Sequence, residues 1–139
     1  MIKQNRKFSL DEYYQKVKLS ILVAFDLIVY DKNNNILLGK RKNAPAKNYF
    51  FTAGGNVYKG ENFEEAIKRI SKDELGLELS LDEVRLNGIY THIYNENFRD
   101  KKFCTHYITF AFTHKIKNHK SIDKNKFLVQ HSAMKWIKQ

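Results

Sequence analysis

The chain has 139 residues, of which 42% are apolar and 14% aromatic, and its formal net charge is +10. This length and composition fit one ordered domain with one core, so a single domain over residues 1–139 is expected. The only cysteine, Cys104, excludes an internal disulfide framework and a cysteine-rich zinc site. No apolar run reaches membrane-spanning length and the first residues lack a secretory pattern, so a cytoplasmic protein is expected.

The positive charge comes from lysines that are spread along the chain without a dense basic block. A solvated, lysine-rich surface is the simpler interpretation. The functional interpretation is attraction of a polyanion, which is either nucleic acid or a small phosphorylated substrate. Charge alone does not separate these interpretations, and the motifs below make nucleic acid the less expected partner.

Hydrophobic patterning and turn residues predict strands on both sides of one long central helix. Ser9 and Glu12 have the spacing of a capping box, which marks the start of a first helix. Gly76 is the expected stop of the central helix. The predicted elements are a helix at 10–18, a hairpin of strands at 20–30 and from 36, a strand at 49–52, the central helix at 61–75, strands at 84–94 and 103–113, an exposed loop at 116–126 and a last short strand at 133–137. The expected fold class is α/β (α+β).

The central helix carries an apolar stripe that runs into a carboxylate. Four apolar residues have the i, i+3, i+4, i+7 spacing of one helix face, and Glu74 continues that face. These four are Phe63, Ala66, Ile67 and Ile70. A buried carboxylate is costly unless a cation pairs with it. Alternatively, Glu74 lies in the last turn, where the stripe already faces solvent, and the helix pattern does not decide between the two.

Two glycines, Gly54 and Gly55, precede this helix by one short loop. Glycine tolerates positive φ angles and lets a ligand approach the backbone closely. Mg²⁺ takes oxygen ligands, commonly one or two carboxylates together with substrate phosphates. A glycine carbonyl and the Glu74 carboxylate are therefore suitable partners for this ion.

The segment at 55–77 resembles the Nudix box, a pattern of glycine, glutamate, arginine and glutamate. Here it reads G-x5-E-x7-R followed by ELGL, with Gly55, Glu61, Arg69 and Glu74 at the fixed positions. The resemblance implies the Nudix fold, a mixed β-sheet sandwiched between helices. Arg69, a substrate-side candidate, is expected to orient Glu61 or Glu74 more directly than it touches substrate.

The box departs from that of Nudix pyrophosphatases, which usually carry a glutamate directly after the arginine and two glutamates shortly before the final glycine. This chain has Ile70 and Ser71 after Arg69, and then Asp73 and Glu74. Clustered carboxylates can hold more than one divalent ion and activate water for attack on phosphorus. A single well-placed ligand, Glu74, instead indicates one Mg²⁺ that is carried in with a diphosphate.

The modified box is similar to that of the GDP-mannose mannosyl hydrolases, a Nudix branch that attacks the sugar carbon instead of phosphorus. Further segments follow in that family's order over most of the chain. They are residues 25–28, 37–41, 45–46, 49–50, 91–94, 97–98, 105–107 and 130–131, with Trp136 downstream. The resemblance implies Mg²⁺-dependent hydrolysis of GDP-mannose or a related GDP-sugar to free sugar and nucleoside diphosphate.

By this resemblance, Gly54 (through its carbonyl), Glu74 and Gln130 would hold Mg²⁺ on the diphosphate. His131 would be the general base that deprotonates water, since an imidazole titrates near neutral pH. Taken alone, a histidine in such a polar stretch is more often an ordinary surface residue. The adjoining Gln130 and the family order are what favour the functional interpretation.

The resemblance assigns further residues to the substrate. Arg41 would stabilise the leaving phosphates, and Tyr107 would hydrogen-bond them. Asp26 and His92 would face the sugar, where a carboxylate steadies an oxocarbenium-like centre. Without the family order, each would be an ordinary strand residue or, for Asp26, an inward polar side chain satisfied by the backbone.

Position 56 departs from the family, which usually has an arginine after the double glycine where this chain has Asn56. Lys59 or Arg41 are candidates to supply the missing cation beside Asn56. Two other functions stay open: a Nudix pyrophosphatase acting at phosphorus, and a catalytically weak nucleotide-sugar or RNA-binding module. The family is usually dimeric, so a homodimer is expected, with the first helix as a candidate contact.

Overall fold

A mixed β-sheet with helices packed around it forms the framework of the part that the computed structural model describes, residues 7–139. Three α-helices and seven strands lie within this range, together with two short 3-10 turns at Leu81–Glu83 and His119–Ser121. The elements are α1 (Leu10–Leu19), β1 (Leu22–Tyr30), β2 (Asn35–Arg41), β3 (Phe50–Phe51), β4 (Ala53–Asn56), α2 (Phe63–Leu75), β5 (Arg85–Tyr94), β6 (Thr105–Lys115), α3 (Lys124–Gln130) and β7 (His131–Lys138). The expected mixed α+β class is confirmed.

Strand β1 is the centre of the sheet. It pairs in parallel with β6 along its whole length and antiparallel with β4 on its other side. The predicted hairpin to β2 exists only as the pair Tyr30 and Ile36 beside the turn, because β2 takes β7 and β3 as its main partners. Strand β5 lies at one edge, paired antiparallel with β6. This topology places β4 beside the middle of β1, at residues 24–27.

Helix α2 forms where the sequence predicts it and covers one face of the sheet. Its first turn is closed by a reciprocal capping box between Asn62 and Glu65, and it ends at Gly76, whose φ of 71° is left-handed. Most of its predicted inner face is buried against β1, with Ile67 0% exposed. Phe63, at the start of that face, stays 43% exposed, although its ring lies 5.0 Å from that of Phe25.

The prediction of an exposed loop at 116–126 holds for residues 117–121 but is wrong for the buried Ile116 and Ile122 and for the end of the segment, which is helical. Ile116 and Ile122 are 4% and 5% exposed, and helix α3 begins at Lys124, with Phe127 fully buried in the core. Asp123 caps this helix through its side chain, and its own backbone N–H donates to the carbonyl of Leu75, 2.9 Å away. These few apolar anchors are spaced too widely in a polar stretch to give a periodic pattern.

The first helix has the predicted start, and its capping box between Ser9 and Glu12 is present. Strands β5 and β6 begin one or two residues later than predicted, and β7 begins at His131 and not at residue 133. Among residues 7–139, no helix is both long and apolar enough to cross a membrane.

Candidate active site

One cavity of about 550 Å³ is lined by all ten residues to which the family resemblance gives a catalytic, substrate-binding or metal-binding role. It lies between β4, the C-terminal half of α2 and the α3–β7 junction. Residues of β1, β5 and β6 also line it. The predicted residues in its lining are Asp26, Arg41, Gly54, Asn56, Arg69, Glu74, His92, Tyr107, Gln130 and His131. Residues separated by more than a hundred positions in the chain, such as Asp26 and His131, therefore line one cavity.

The double glycine Gly54-Gly55 lies in strand β4, directly against β1. Gly54 pairs with Asp26 across the β1–β4 ladder. A Cβ atom on Gly54 would lie 2.6 Å from the carbonyl oxygen of Phe25 and 2.8 Å from Oδ1 of Asp26, so only glycine fits there. The close approach leaves the backbone of residues 54–56 along the cavity wall.

Arg69, in the middle of α2, binds the segment that precedes the helix and the end of β4. Its Nε and Nη2 atoms donate to the two carboxylate oxygens of Glu61 at 2.5 and 2.9 Å, and Nη2 also donates to the carbonyl of Asn56 at 2.7 Å. Its guanidinium lies 3.6 Å from the ring centroid of Tyr58. The geometry matches the expectation that Arg69 orients Glu61, and Arg69 makes no hydrogen bond to Glu74 among the described residues.

Glu74 is half-buried on the cavity wall, so its carboxylate lies between the two environments that the helix pattern left open. Burial raises the pKa of Glu74 to about 7, with a further contribution from neighbouring Asp73, while Arg41 opposes the shift. Within residues 7–139 the carboxylate makes no hydrogen bond or ion pair. A carboxylate in this state is suited to a cationic ligand.

The donor set around Glu74 fits a hard divalent cation. The carboxylate shares the cavity with the Gly54 backbone and with the Gln130 amide at the end of α3. All three offer oxygen atoms, which Mg²⁺ prefers. Over the described part of the chain there is no group of three or more His, Cys, Asp and Glu side chains that would hold a metal by itself. Any ion here would therefore rest on fewer than three such side chains together with neutral oxygens.

His131 is the first residue of β7 and is only 3% exposed. Its ring stacks on Phe127 at 4.3 Å between centroids, and its Nδ1 lies 3.0 Å from the Phe127 carbonyl oxygen. A carbonyl only accepts hydrogen bonds, so Nδ1 carries the proton and Nε2 keeps a free lone pair. Burial lowers the pKa of His131, which keeps the ring neutral and able to accept a proton.

Gly39 of β2 leaves room for the His131 ring because it has no side chain. A Cβ atom at this position would collide with the ring of His131 and would lie 2.7 Å from Cε1 of Phe127. Strand β2 therefore presents bare backbone to the stacked pair. Sequence reasoning used Gly39 only as part of a family segment and did not find this contact, because it joins β2 to residues far along the chain.

Arg41 is the central cation of the cavity. Its Nε donates to the carbonyl of Pro45 at 2.9 Å, which leaves the terminal nitrogens of the guanidinium free of hydrogen bonds within residues 7–139. Burial raises the pKa of Asp26 to about 6, against the opposing charges of His92 and Arg41. Burial also raises the pKa of the Tyr107 hydroxyl, so this group stays a neutral hydrogen-bond donor. Asp26 and His92 are thus close enough to Arg41 to share one charged surface.

Helix α1 supplies cavity residues that sequence reasoning missed, namely Tyr13 and Lys16. The amide of Asn56 donates to the Tyr13 hydroxyl at 2.9 Å, so the side chain in place of the family's arginine binds α1. Lys59, a sequence candidate for the missing cation, is exposed and outside the lining. The i, i+3 spacing of Tyr13 and Lys16 places them on one helix face in the sequence, but no sequence pattern indicated that this face contacts Asn56.

Comparison with known proteins agrees with this architecture. A family model described as NUDIX domain matches residues 21–138. The low-salt glycan biosynthesis protein Agl8 of Haloferax volcanii is 32% identical over 125 residues, which cover 90% of this chain and 76% of that protein. An ADP-ribose pyrophosphatase of Methanocaldococcus jannaschii is 46% identical over 72 residues, covering 52% of this chain and 41% of that protein.

A solved MutT NUDIX hydrolase from Burkholderia pseudomallei superposes with a TM-score of 0.66 at 24% identity, over 85% of this chain and 83% of that one. At this identity the likeness concerns the fold, and it agrees with the mixed sheet and the position of α2. The match of the NUDIX domain model over nearly the whole chain is the stronger finding. This protein therefore belongs to the Nudix family of hydrolases, which act on nucleotide derivatives and generally use divalent metal ions.

Proposed function

We propose that this protein is a Mg²⁺-dependent hydrolase of a nucleotide sugar, GDP-mannose or a related GDP-sugar, in which water attacks the anomeric carbon. The products are the free sugar and the nucleoside diphosphate. The observation that carries the proposal is the state of His131, which lines the same cavity as Glu74: its Nδ1 is held by the Phe127 carbonyl, and its Nε2 makes no hydrogen bond within residues 7–139. A positioned neutral imidazole, in a cavity whose described residues include no cluster of three or more metal-binding side chains, suits a general base more than a multi-metal mechanism.

The residues proposed to hold Mg²⁺ are Glu74, Gln130 and the carbonyl of Gly54. When bound there, the ion would neutralise charge on the departing diphosphate. The position of Glu74 in the cavity and its pKa of about 7 support this assignment, because a cation would relieve the cost of the half-buried charge.

In the proposed reaction, His131 Nε2 accepts a proton from water while the water oxygen bonds to the anomeric carbon. The bond from that carbon to the diphosphate oxygen breaks, and its electron pair leaves with the diphosphate. Arg41 and the neutral hydroxyl of Tyr107 are placed to donate hydrogen bonds to the leaving phosphates. Asp26, whose pKa of about 6 leaves it mostly ionised at pH 7, would stabilise positive charge on the sugar.

The test is hydrolysis of a panel of nucleotide sugars with Mg²⁺ in ¹⁸O-labelled water. Attack at the sugar carbon places the label in the free sugar, and the nucleoside diphosphate stays unlabelled. Label in phosphate, together with sugar 1-phosphate and a nucleoside monophosphate, would overturn the proposal. The same panel identifies the base and the sugar.

The metal assignment has its own test in Glu74→Gln, with Asp73→Asn as the matched control. The two carboxylates are adjacent, but the Asp73 side chain is 60% exposed and Glu74 is half-buried in the cavity. We expect Glu74→Gln to lower kcat/KM by at least about 10–100-fold, the cost of losing even an outer partner of a metal site, and to raise the Mg²⁺ requirement. Equal effects of both substitutions would argue against Glu74 as the ligand.

The second candidate function is cleavage at phosphorus, and the observation that favours it is the 46% identity to an ADP-ribose pyrophosphatase over 72 residues. Under that function, ADP-ribose would yield AMP and ribose 5-phosphate. Turnover of ADP-ribose to these products, in the absence of free sugar from any GDP-sugar, would select it.

A further inference from the structure

Helix α1 forms one wall of the cavity and is held there by specific contacts. Tyr13 lines the cavity, and its hydroxyl accepts a hydrogen bond from the Asn56 amide at 2.9 Å and lies 3.4 Å from the Tyr107 hydroxyl. On the same helix, Val17 is 4% exposed and anchors it to the core. Because Asn56 follows the double glycine and Tyr107 lies on β6, α1 has a defined position relative to both.

The outer side of α1 is fastened as well. The Tyr14 hydroxyl donates to Asp100 at 2.7 Å, and its ring packs edge-on against Phe103 at 4.9 Å between centroids. Arg99 pairs with Asp11 at 3.0 Å and lies 4.6 Å from the centroid of the Tyr14 ring. The contacts on both sides hold the residues of the inner face in place.

Lys16, one turn after Tyr13, brings a cation into this wall. Its ammonium group makes no hydrogen bond or ion pair within residues 7–139, and it lies 5.3 Å from the ring centroid of Phe8. The side chain is half-buried, and burial alone lowers the pKa of Lys16. A partly desolvated charge without an anionic partner is unfavourable until a ligand supplies one.

Most other cations of the cavity are committed to the protein or open to solvent. Arg69 is held by Glu61, and Lys126 donates to a backbone carbonyl of α2 at 3.1 Å. Lys7 also lines the cavity, but it is solvent-exposed. Arg41 and Lys16 are therefore the half-buried cations whose charged ends are free to meet an anion.

We propose that Lys16 is a substrate-binding residue whose ammonium group donates hydrogen bonds to the diphosphate of the nucleotide substrate. The inference rests on the proposed function only in so far as the substrate carries a diphosphate. The Asn56 side chain is hydrogen-bonded to Tyr13, and Lys16 of the same helix provides a positive charge in the cavity lining. Lys16 would act together with Arg41, which comes from β2.

The test is calorimetric binding of GDP and ADP, each with Mg²⁺, to the wild-type protein and to Lys16→Met. Methionine keeps the unbranched chain against Phe8 and removes the charge. Loss of a charge-assisted hydrogen bond should raise Kd about tenfold or more and make binding less sensitive to salt. Lys18→Met, an exposed lysine on the same helix, is the matched control and should stay within about twofold of wild type.

Lys16→Arg and thermal unfolding separate a binding role from a structural one. A binding role predicts substantial rescue of Kd by arginine and an unchanged melting temperature in Lys16→Met. Equal Kd values for wild type and Lys16→Met would overturn the proposal, as would the absence of nucleoside diphosphate binding to the wild type. Weakened binding in Lys16→Met, found in a protein that releases no free sugar from any GDP-sugar, would leave this inference standing while the proposed function fails.

Discussion

Helices α2 and α3 both border the cavity, but they are held in place by different contacts. Helix α2 has thirteen residues, a capping box at one end, a left-handed glycine at the other and a buried face along its length. Helix α3 has seven residues and one buried side chain, Phe127, and its cap residue Asp123 is bound to the end of α2 through Leu75. Helix α2 is stabilised by its own caps and buried face, whereas the position of α3 depends on its contact with α2.

This difference couples the two halves of the candidate site. Glu74 lies in the last turn of α2, directly before the point where Asp123 attaches. Gln130 and His131 follow at the other end of α3, so their distance from Glu74 is set by a short, polar helix. Disturbing α3 should therefore affect activity more than stability, while disturbing the start of α2 should do the reverse.

The largest expected effect comes from removing the group that α3 and β7 deliver. His131→Asn should lower kcat by about 10²–10⁴-fold, the range for loss of a general base, with little change in substrate binding. His106→Asn, on β6 and outside the cavity lining, is the control. Steady-state kinetics measure both variants. If His131→Asn keeps more than a tenth of wild-type kcat, His131 is not the general base.

Gly39→Ala tests how tightly the stacked pair of Phe127 and His131 is placed. The new Cβ collides with both rings, so we expect about 1–3 kcal/mol of destabilisation from overpacking and a kcat lowered by roughly 10–100-fold as the base moves. The control is Gly88→Ala, where the new Cβ would meet mainly the hydroxyl end of Tyr90, which can swing away. Urea unfolding and kinetics report the two effects, and equal behaviour of the two variants would contradict the special role of Gly39.

The two helix caps allow the most direct comparison. Asn62→Ala and Asp123→Ala each remove an N-cap, which costs about 0.5–2 kcal/mol. We expect near-normal kcat in Asn62→Ala, because α2 keeps its buried face. We expect a several-fold lower kcat in Asp123→Ala, because α3 then frays next to its catalytic end. Similar activity losses in both variants, measured beside urea unfolding, would show that the helices are not held differently.

The smallest expected effect extends the comparison to α1, which is held by surface contacts. The hydrogen bond from Tyr14 and the backbone N–H of Lys102 lower the pKa of Asp100 to about 2. A lowered pKa stabilises the folded protein above the unfolded value of about 3.9, and this stabilisation is lost as the pH falls through the folded value. The wild type should therefore be more stable than Asp100→Asn at pH 7, and the difference should shrink between about pH 4 and pH 2. Urea unfolding across that range would contradict this if the gap stayed constant.

The sequence predicted the elements whose information is local. Helix α2 was predicted from its apolar period and from Gly76 at its end. Helix α3 escaped because its placement depends on Leu75 and on the core pocket of Phe127, neither of which leaves a periodic trace. The same holds for the partnership of β2 with β7, which brings Gly39 under the His131 ring.

The candidate site divides in the same way. Its residues were predicted from the box and from the family order of short segments, and those given a catalytic, substrate-binding or metal-binding role all line the cavity. What the residues alone did not reveal is the wall formed by Tyr13 and Lys16. An N-terminal helix can pack in many places, and only the tertiary structure shows that Tyr13 of α1 binds Asn56.

The central position of β1 has a consequence for the motions of the site. Residues 24–27 have hydrogen-bonded neighbours on both sides, β4 on one and β6 on the other, so Asp26 lies in a part of the sheet that opens only with extensive unfolding. Helix α1 has one buried side chain, Val17, and its other contacts, such as those of Tyr13 and Tyr14, are only partly buried. Amide hydrogens of β1 should accordingly exchange with solvent far more slowly than those of α1. The two sides of the cavity would then differ in local stability, although both are held by defined contacts.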